Sequence, residues 1–400
     1  MFSLQSLKKI ARNHAAFFIM LLCSLCTFLS IVLVKNSSSD TVFSLFTIFQ
    51  IYIGYVVVLG ALASDSVAIR FASAEGSKLI IDKSILLRYF FSVSSALLLF
   101  SILGYLIFDD FSVNGFVVLL LSFVIVCLNF FSMCFRLLSC YVLSQLMQNG
   151  WKIFFFIFIV IGVYFKGEYS EGLLVFIFLV SLLIPVPLCF YFYKKFDLVI
   201  VNSVSKADKI EQGKLQVTYI TSLLFFAVLD SFDRVVLQNR LSAEDFSNYS
   251  YLVSVLLFPV GIIGNYIGFK ELVRIKNGAA FDLRRKSIHA FFLGLFLFLV
   301  YSAFLYLCNG FLNINFEFYI WICVLCIVCC KIPYSYSSAV LGARGESSDI
   351  RGINLFSLFF VFFACVVAWL MADENVAITL VLLIWIIRFF IYYKKAGKYV

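Results

Sequence analysis

Residues 194–214 read KKFDLVIVNSVSKADKIEQGK, a polar island in a 400-residue chain that is 63% hydrophobic and only 13% charged. The nature of the sequence on either side of this island decides the fold. An ordinary soluble domain is roughly 45–50% apolar, and phenylalanine alone occurs here 50 times. The composition is therefore that of a polytopic membrane protein. Apolar runs of about 20 residues match the helix length needed to cross a hydrocarbon core of about 30 Å. The alternating ten-residue pattern of barrel strands is missing, so the spans are helices.

Working outward from the island, the polar breaks delimit six runs before it, at about 14–34, 42–63, 87–108, 116–138, 152–165 and 172–193. Six more follow, at about 215–238, 248–269, 288–308, 316–340, 353–371 and 376–393. The fifth is short and begins upstream, near Leu146. The expected organisation is an N-terminal six-helix bundle (1–200), a cytoplasmic linker (201–214) and a C-terminal six-helix bundle (215–400). Placing the N-terminus inside assigns 27 of the 31 Lys and Arg residues to the cytoplasm, with Arg136, Lys152, Lys331 and Arg388 at helix ends on that side. By the positive-inside rule both termini are cytoplasmic. The first run lacks a small-residue cleavage pattern, so it reads as a retained helix rather than a signal peptide.

The net charge of +9 is largely this orientation signal together with contact to anionic headgroups, and it does not imply a nucleic-acid partner. Cys323, Cys326, Cys329 and Cys330 have CxxC spacing but lie inside an apolar run, where thiols pack as small hydrophobes. His14 and His289 have no partners in sequence for a metal site or triad. No GxxxxGK[ST] phosphate cradle occurs. The outer loops are short, which suits a carrier better than an enzyme that joins sugars, and no cofactor is expected.

The halves resemble each other. DTVFSLFTIFQ (40–50) and EDFSNYSYLVS (244–254) both open a helix with an acidic residue shortly before Phe-Ser. Phe43 precedes Arg70 by 27 positions and Phe246 precedes Arg274 by 28, while Arg136 and Lys331 precede Gly150 and Gly345 by 14 each. A duplicated unit of six spans is of the parallel kind, with a substrate cleft expected between the copies.

The seventh run holds Asp230, Asp233 and Arg234 within five residues. Asp230 and Arg234 form an i, i+4 acid-before-base pair on one helical face. Charges inside a membrane commonly face a bundle interior or a wet cavity. The triplet is therefore either a clip to a neighbouring helix or a gate and coupling element. In FPVGIIGNYIG (258–268), Pro259, Gly261, Gly264 and Gly268 permit a bend or close packing, and Asn265 is a polar cavity candidate.

LDSFDRVVLQNRLSAEDFSNYSYLVSVL (229–256) resembles the Asp-Arg helix, short loop and tyrosine-bearing helix of polysaccharide exporters of the Wzx type. VVLGALASDSVAIRFAS (57–73) and the VLGARGE turn (340–346) extend the resemblance, and with the layout of twelve helices it covers almost the whole chain. It implies the V-shaped fold of two six-helix bundles shared with multidrug and toxic-compound exporters and lipid II flippases, working by alternating access in a bacterial inner membrane. The implied substrate is an oligosaccharide repeat unit on undecaprenyl pyrophosphate. Implied associates are membrane lipids, a polysaccharide polymerase and a chain-length regulator, with coupling to an H+ or Na+ gradient or to membrane potential. Such a carrier needs cations for the diphosphate. Arg136 and Lys331 are the candidates, the alternative being that both snorkel to headgroups. Arg70 and Arg274 are expected to be headgroup anchors. The competing functions are a drug or cation exporter of the same fold, which should carry acidic residues deep in its N-terminal half, and a polymerase or acyltransferase of the same pathway.

Overall fold

The computed structural model describes residues 4–108, 114–166, 169–201, 206–276, 281–315 and 317–400; the side chains of 4–14, 106–107, 166, 206–208, 226, 265–266, 269–270, 273, 276 and 347 also lie outside the described set. The chain divides into two compact units, Met1–Ile220 and Thr221–Val400. It is an all-α membrane protein, with one small sheet among the described residues.

The first unit contains α1 (Leu4–Ser37), α2 (Asp40–Leu59), α3 (Ser64–Phe71), β1 (Ser73–Glu75), β2 (Lys78–Asp82), α4 (Lys83–Ile107), α5 (Gly115–Leu137), α6 (Tyr141–Asn149), α7 (Trp151–Lys166), α8 (Glu171–Leu183), α9 (Pro187–Lys195) and β3 (Asp197–Val201). It ends within α10 (Lys206–Leu229). The second unit continues with α11 (Phe232–Leu237), α12 (Ala243–Lys276), α13 (Leu283–Leu307), α14 (Asn309–Leu312), α15 (Phe318–Arg344), α16 (Ser347–Met371) and α17 (Glu374–Ala396). Residues 206–214 of the expected linker are thus the first turns of a helix.

Helix starts follow the polar residues at the ends of the apolar runs. Ser39, Asp82, Asn114, Ser170, Asp282 and Asp373 each accept a backbone N–H of the first turn through the side chain. Such caps satisfy donors that the helix itself leaves open.

Among the described residues, ten helices are long and apolar enough to cross a membrane, or eleven if the bent pair α6–α7 is one span. Both departures from the expected twelve have a local cause. The fifth run breaks between Asn149 and Trp151, where its two pieces meet at 42°. Loop pairing shows how it behaves. The Tyr169 N–H donates to the Ser37 carbonyl (3.4 Å), and β2 runs parallel to β3 in register from Lys78–Asp197 to Asp82–Val201. Each pairing joins loops on one membrane face, so an even number of crossings must separate its partners. Three plain spans lie between them in each case, and parity holds only if α6–α7 supplies the fourth. The seventh run is more polar and is interrupted at Asp230–Ser231. Its described contacts still follow α16 from one end to the other. Asn354, near the start of α16, donates to Ser222, and Arg240 donates to the Trp369 carbonyl near the end of α16 (3.1 and 3.0 Å).

The sheet was not foreseen among so many helices. Gly76 takes φ +61 in the two-residue turn between Glu75 and Lys78, the left-handed conformation such hairpins require. Leu79 and Ile81 turn inward and are buried, and the β-branched run of DLVIV supplies the third strand.

In the core of the first unit, Phe46, Phe49, Phe155 and Phe178 form a cluster with ring centroids 4.3–5.9 Å apart. Gly104 brings α4 against α5, and a Cβ there would lie 2.3 Å from Val118 Cγ1. Gly104→Ala should therefore destabilise the protein by about 1–3 kcal/mol, read as a lower melting temperature in detergent; an unchanged value would mean the two helices separate at little cost.

The repeat is only partly visible in three dimensions. Phe43 and Phe246 are each the fourth residue of their helices and each is buried, and Arg70 and Arg274 both fall in a last turn. The second correspondence does not hold. The 14 residues after Arg136 run through a helix end, a loop and α6, whereas those after Lys331 stay within α15 as far as its C-cap, Gly345.

Candidate functional site

In the second unit, charged and aromatic side chains from α10, α11, α12, α15, α16 and α17 form one connected column. It begins at the break in the seventh run. Asp and Ser favour such breaks because their side chains compete for backbone hydrogen bonds. Here the Ser231 hydroxyl donates to the Ala227 carbonyl (3.0 Å), and Ser231 itself leaves the helical conformation (φ −155, ψ 1). The expected Asp230–Arg234 ion pair does not form. Arg234 instead donates to the Asp230 backbone carbonyl and to Ser254 Oγ (3.3 Å). The break turns the Asp230 carboxylate toward Lys331, whose Nζ lies 2.9 Å from Oδ1.

This partner redefines Lys331. It is the midpoint of α15, about 20 Å of helix from either end, and not a helix-end cation. Its ammonium also lies 4.9 Å from the centre of the Trp385 ring, a cation–π contact. Arg136 is exposed in the last turn of α5, so the two candidate phosphate ligands occupy unlike places in their own helices. Asp233 is 3% exposed. Its Oδ2 accepts the Tyr249 hydroxyl at 2.7 Å, and Arg234 Nε is 3.9 Å from Oδ1. Tyr249→Phe should cost about 1.5–3 kcal/mol, because it strips a charge-assisted bond from a buried carboxylate. Thermal unfolding in detergent checks this, and Asp233→Asn, which keeps an acceptor for Tyr249, should lose less.

From Trp385 the column continues through Tyr334, with ring centroids 5.5 Å apart, to Arg388. Arg388 was expected at a cytoplasmic helix end, but it is fully buried eight residues inside α17. Its Nε and one terminal nitrogen donate to the Tyr334 hydroxyl (3.1 and 2.9 Å), and the same terminal nitrogen donates to Tyr392 (3.0 Å) and to Asn354 Oδ1 (3.2 Å). The guanidinium lies 3.6 Å from the centre of the Phe225 ring and 4.5 Å from that of Tyr392. Tyr392 donates in turn to Asn354 (2.9 Å), which holds Ser222. A delocalised planar cation suits this setting, since it can stack on rings and fork between acceptors at once. The one signal for Arg388 in the sequence was Tyr334, Trp385 and Tyr392 spaced around two basic residues.

The remaining candidates lie apart from the column. Pro259 is inside α12, which continues through it. A Cβ at Gly264 or Gly268 would stand 3.2 or 3.9 Å from Ser335 of α15, while Gly261 faces open space, so two of the three glycines serve close helix packing. Arg70 is exposed 3.6 Å from Glu211, and Arg274 is exposed 3.8 Å from Glu271. Asn265 lies outside the described side chains.

No protein-family model matches the sequence, and no curated protein is significantly similar to it. Solved structures do match. An outward-facing multidrug resistance MATE family transporter of the MOP superfamily is similar over 96% of this chain and 93% of its own, with TM-score 0.54 and 13% identity. A MOP superfamily transporter from Pyrococcus furiosus, described as having a binding pocket of reverse polarity that suggests a different function, covers the same shares with TM-score 0.52 and 14% identity. The chain has the fold of these transporters. At these identities the likeness speaks for the fold alone.

Proposed function

We propose that this MATE-type protein is an exporter of an anionic, lipid-linked oligosaccharide, moving it across the bacterial inner membrane by alternating access between two six-helix bundles. The bent fifth segment and the polar seventh segment count as crossings, for twelve in all. The carrying observation is the midpoint cation of α15, Lys331, paired with an Asp230 carboxylate that is itself 54% exposed. A diphosphate entering from water can displace such a carboxylate and take over the ammonium. Arg388 adds a second fixed positive charge one step along the column. Charge at this depth is expensive unless it is used or paired. The sugars add no charge requirement, and the polyprenyl tail remains in lipid.

A MATE-like drug or cation exporter is the second reading, and the fold likeness favours it. Against it, the carboxylates of Asp40, Asp82 and Glu171 in the first unit sit at helix starts, and Asp65 lies within the last seven residues of the span Asp40–Phe71. An exporter of organic cations needs a carboxylate at depth.

The test is a strain lacking the protein, assayed for surface polysaccharide, for the sidedness of polyprenyl-linked repeat units in inner-membrane vesicles, and for drug susceptibility. Units trapped on the cytoplasmic face, with unchanged susceptibility, are the expected result. Normal polysaccharide with increased drug sensitivity would replace this reading by the second. Single units that reach the outer face and stay unpolymerised would mark a polymerase.

A further inference from the structure

A second donor-rich site lies in the first unit, away from the column. On α4, Ser84, Arg88, Ser92 and Ser95 follow helical spacing and form a polar stripe, while Leu87, Phe90 and Phe91 beside them are exposed apolar side chains. The stripe lines a groove of about 400 Å³ together with Leu62 and Phe91. The first half of α10 supports the groove. Gln216 donates to Ser92 Oγ (2.8 Å) and to the Leu62 carbonyl (3.0 Å), and it accepts from Arg88 (3.4 Å). Arg88 also donates to the Lys209 carbonyl (3.1 Å), lying so close to α10 that a Cβ at Gly213 would be 3.3 Å from the guanidinium.

The groove has more donors than acceptors. Arg88 Nε has no acceptor among the described residues, and the hydroxyls of Ser92 and Ser95 line the groove with it, while the Ser84 hydroxyl donates to Gln212 Oε1 (3.5 Å). Buried donors without partners are rare and call for a ligand's oxygens. One guanidinium and neighbouring hydroxyls suit a phosphate better than a sugar alone. The neighbouring carboxylates are engaged elsewhere: Asp82 accepts the Ser84 N–H (2.7 Å), and Glu211 lies 3.6 Å from Arg70. Arg88 is about 8 Å along α4 from its start, the depth of a headgroup whose tail would lie along Phe90 and Phe91.

We propose that this α4–α10 groove binds the phosphate of a membrane lipid, either a phospholipid headgroup or a polyprenyl phosphate. The site needs no particular export substrate, and its test needs no transport. The purified full chain, with p-benzoylphenylalanine in place of Phe91, is placed in phosphatidylcholine nanodiscs containing radiolabelled phosphatidylglycerol or radiolabelled undecaprenyl phosphate and is illuminated. Labelling should fall about tenfold in Arg88→Gln, the loss of one charge-assisted bond. It should fall similarly in Ser95→Leu, which fills the groove without touching the Arg88 contacts. The exposed neighbour Lys83, changed to Gln, should leave labelling intact. Labelling by undecaprenyl phosphate that excess phosphatidylglycerol does not compete away assigns the site to the polyprenyl carrier, and mutual competition assigns it to anionic phospholipid. Labelling unchanged in both Arg88→Gln and Ser95→Leu would reduce it to ordinary lipid contact and overturn the proposal.

Discussion

Arg388→Ala is expected to lower the stability of the C-terminal unit by about 3 kcal/mol or more, combining a cavity with the loss of bonds to buried hydroxyl and amide oxygens. In a unit of this size that corresponds to a fall of roughly 6–12 °C in melting temperature. The reason is the number of elements that Arg388 joins: Tyr334 on α15, Asn354 on α16, Tyr392 on its own helix and the ring of Phe225 on α10. Arg388→Lys should recover only part of the loss, since an ammonium cannot fork between Tyr334 and Asn354 while lying flat on Phe225. The triple change Arg388→Met, Tyr334→Phe, Tyr392→Phe removes the cation and two of its partners together. Replacing a buried polar cluster by apolar side chains of similar volume is often nearly neutral, so stability should largely return. Export measured in that variant separates the two uses of the residue. Activity restored along with stability would make Arg388 a structural tie; a stable but inactive protein would make its charge part of transport.

Lys331 and Asp230 supply the second large effect, and here the order of two single variants carries the information. For stability, Asp230→Ala should be the worse, because it leaves the ammonium, 20% exposed at mid-helix, without its carboxylate, whereas Lys331→Ala leaves a carboxylate that water already reaches. For export, the order should reverse. If the ammonium takes up a diphosphate, Lys331→Ala should cut transport by about tenfold or more, and Lys331→Arg should preserve much of it. The exchange Asp230→Lys with Lys331→Asp distinguishes a pair from a ligand. A pair needed only for structure survives the exchange, and a cation that must meet the substrate does not. Full export by the exchanged protein would remove Lys331 from the transport site.

Most of the architecture was legible because membrane helices announce themselves by length and composition. The two segments that did not behave plainly, the bent fifth and the broken seventh, were the two carrying unusual content for a span: one short, the other charged. The site was legible in part. Asp230, Asp233 and Arg234 stood out as charges in an apolar run, but sequence spacing offered Arg234 as the partner of Asp230. It could not show that the break at Ser231 redirects the carboxylate across to Lys331, 101 positions away. Arg388 was missed for a related reason. The positive-inside rule treats every basic residue near a helix end as an orientation signal, and only the three-dimensional gathering of Tyr334, Asn354 and Tyr392 distinguishes a buried tie from a snorkelling cation. The three-stranded sheet escaped because DLVIV and KLIID read as ordinary loop margins next to such long apolar runs.

That sheet also sets an order of events during synthesis. Its middle strand, β2, leaves the ribosome more than a hundred residues ahead of β3, with four membrane segments between them. At usual elongation rates the interval is on the order of ten seconds. Throughout it the hairpin Ser73–Asp82 leaves open the edge of β2 that β3 will cover, an arrangement that invites pairing with other chains. The edge is short and opens with Lys78, both features that discourage strangers. Its true partner arrives only once the fourth segment has been threaded. Closure of the sheet therefore records that the intervening segments have all been inserted, and a nascent chain that skipped one would carry β3 to the wrong face, leaving the edge of β2 unsealed.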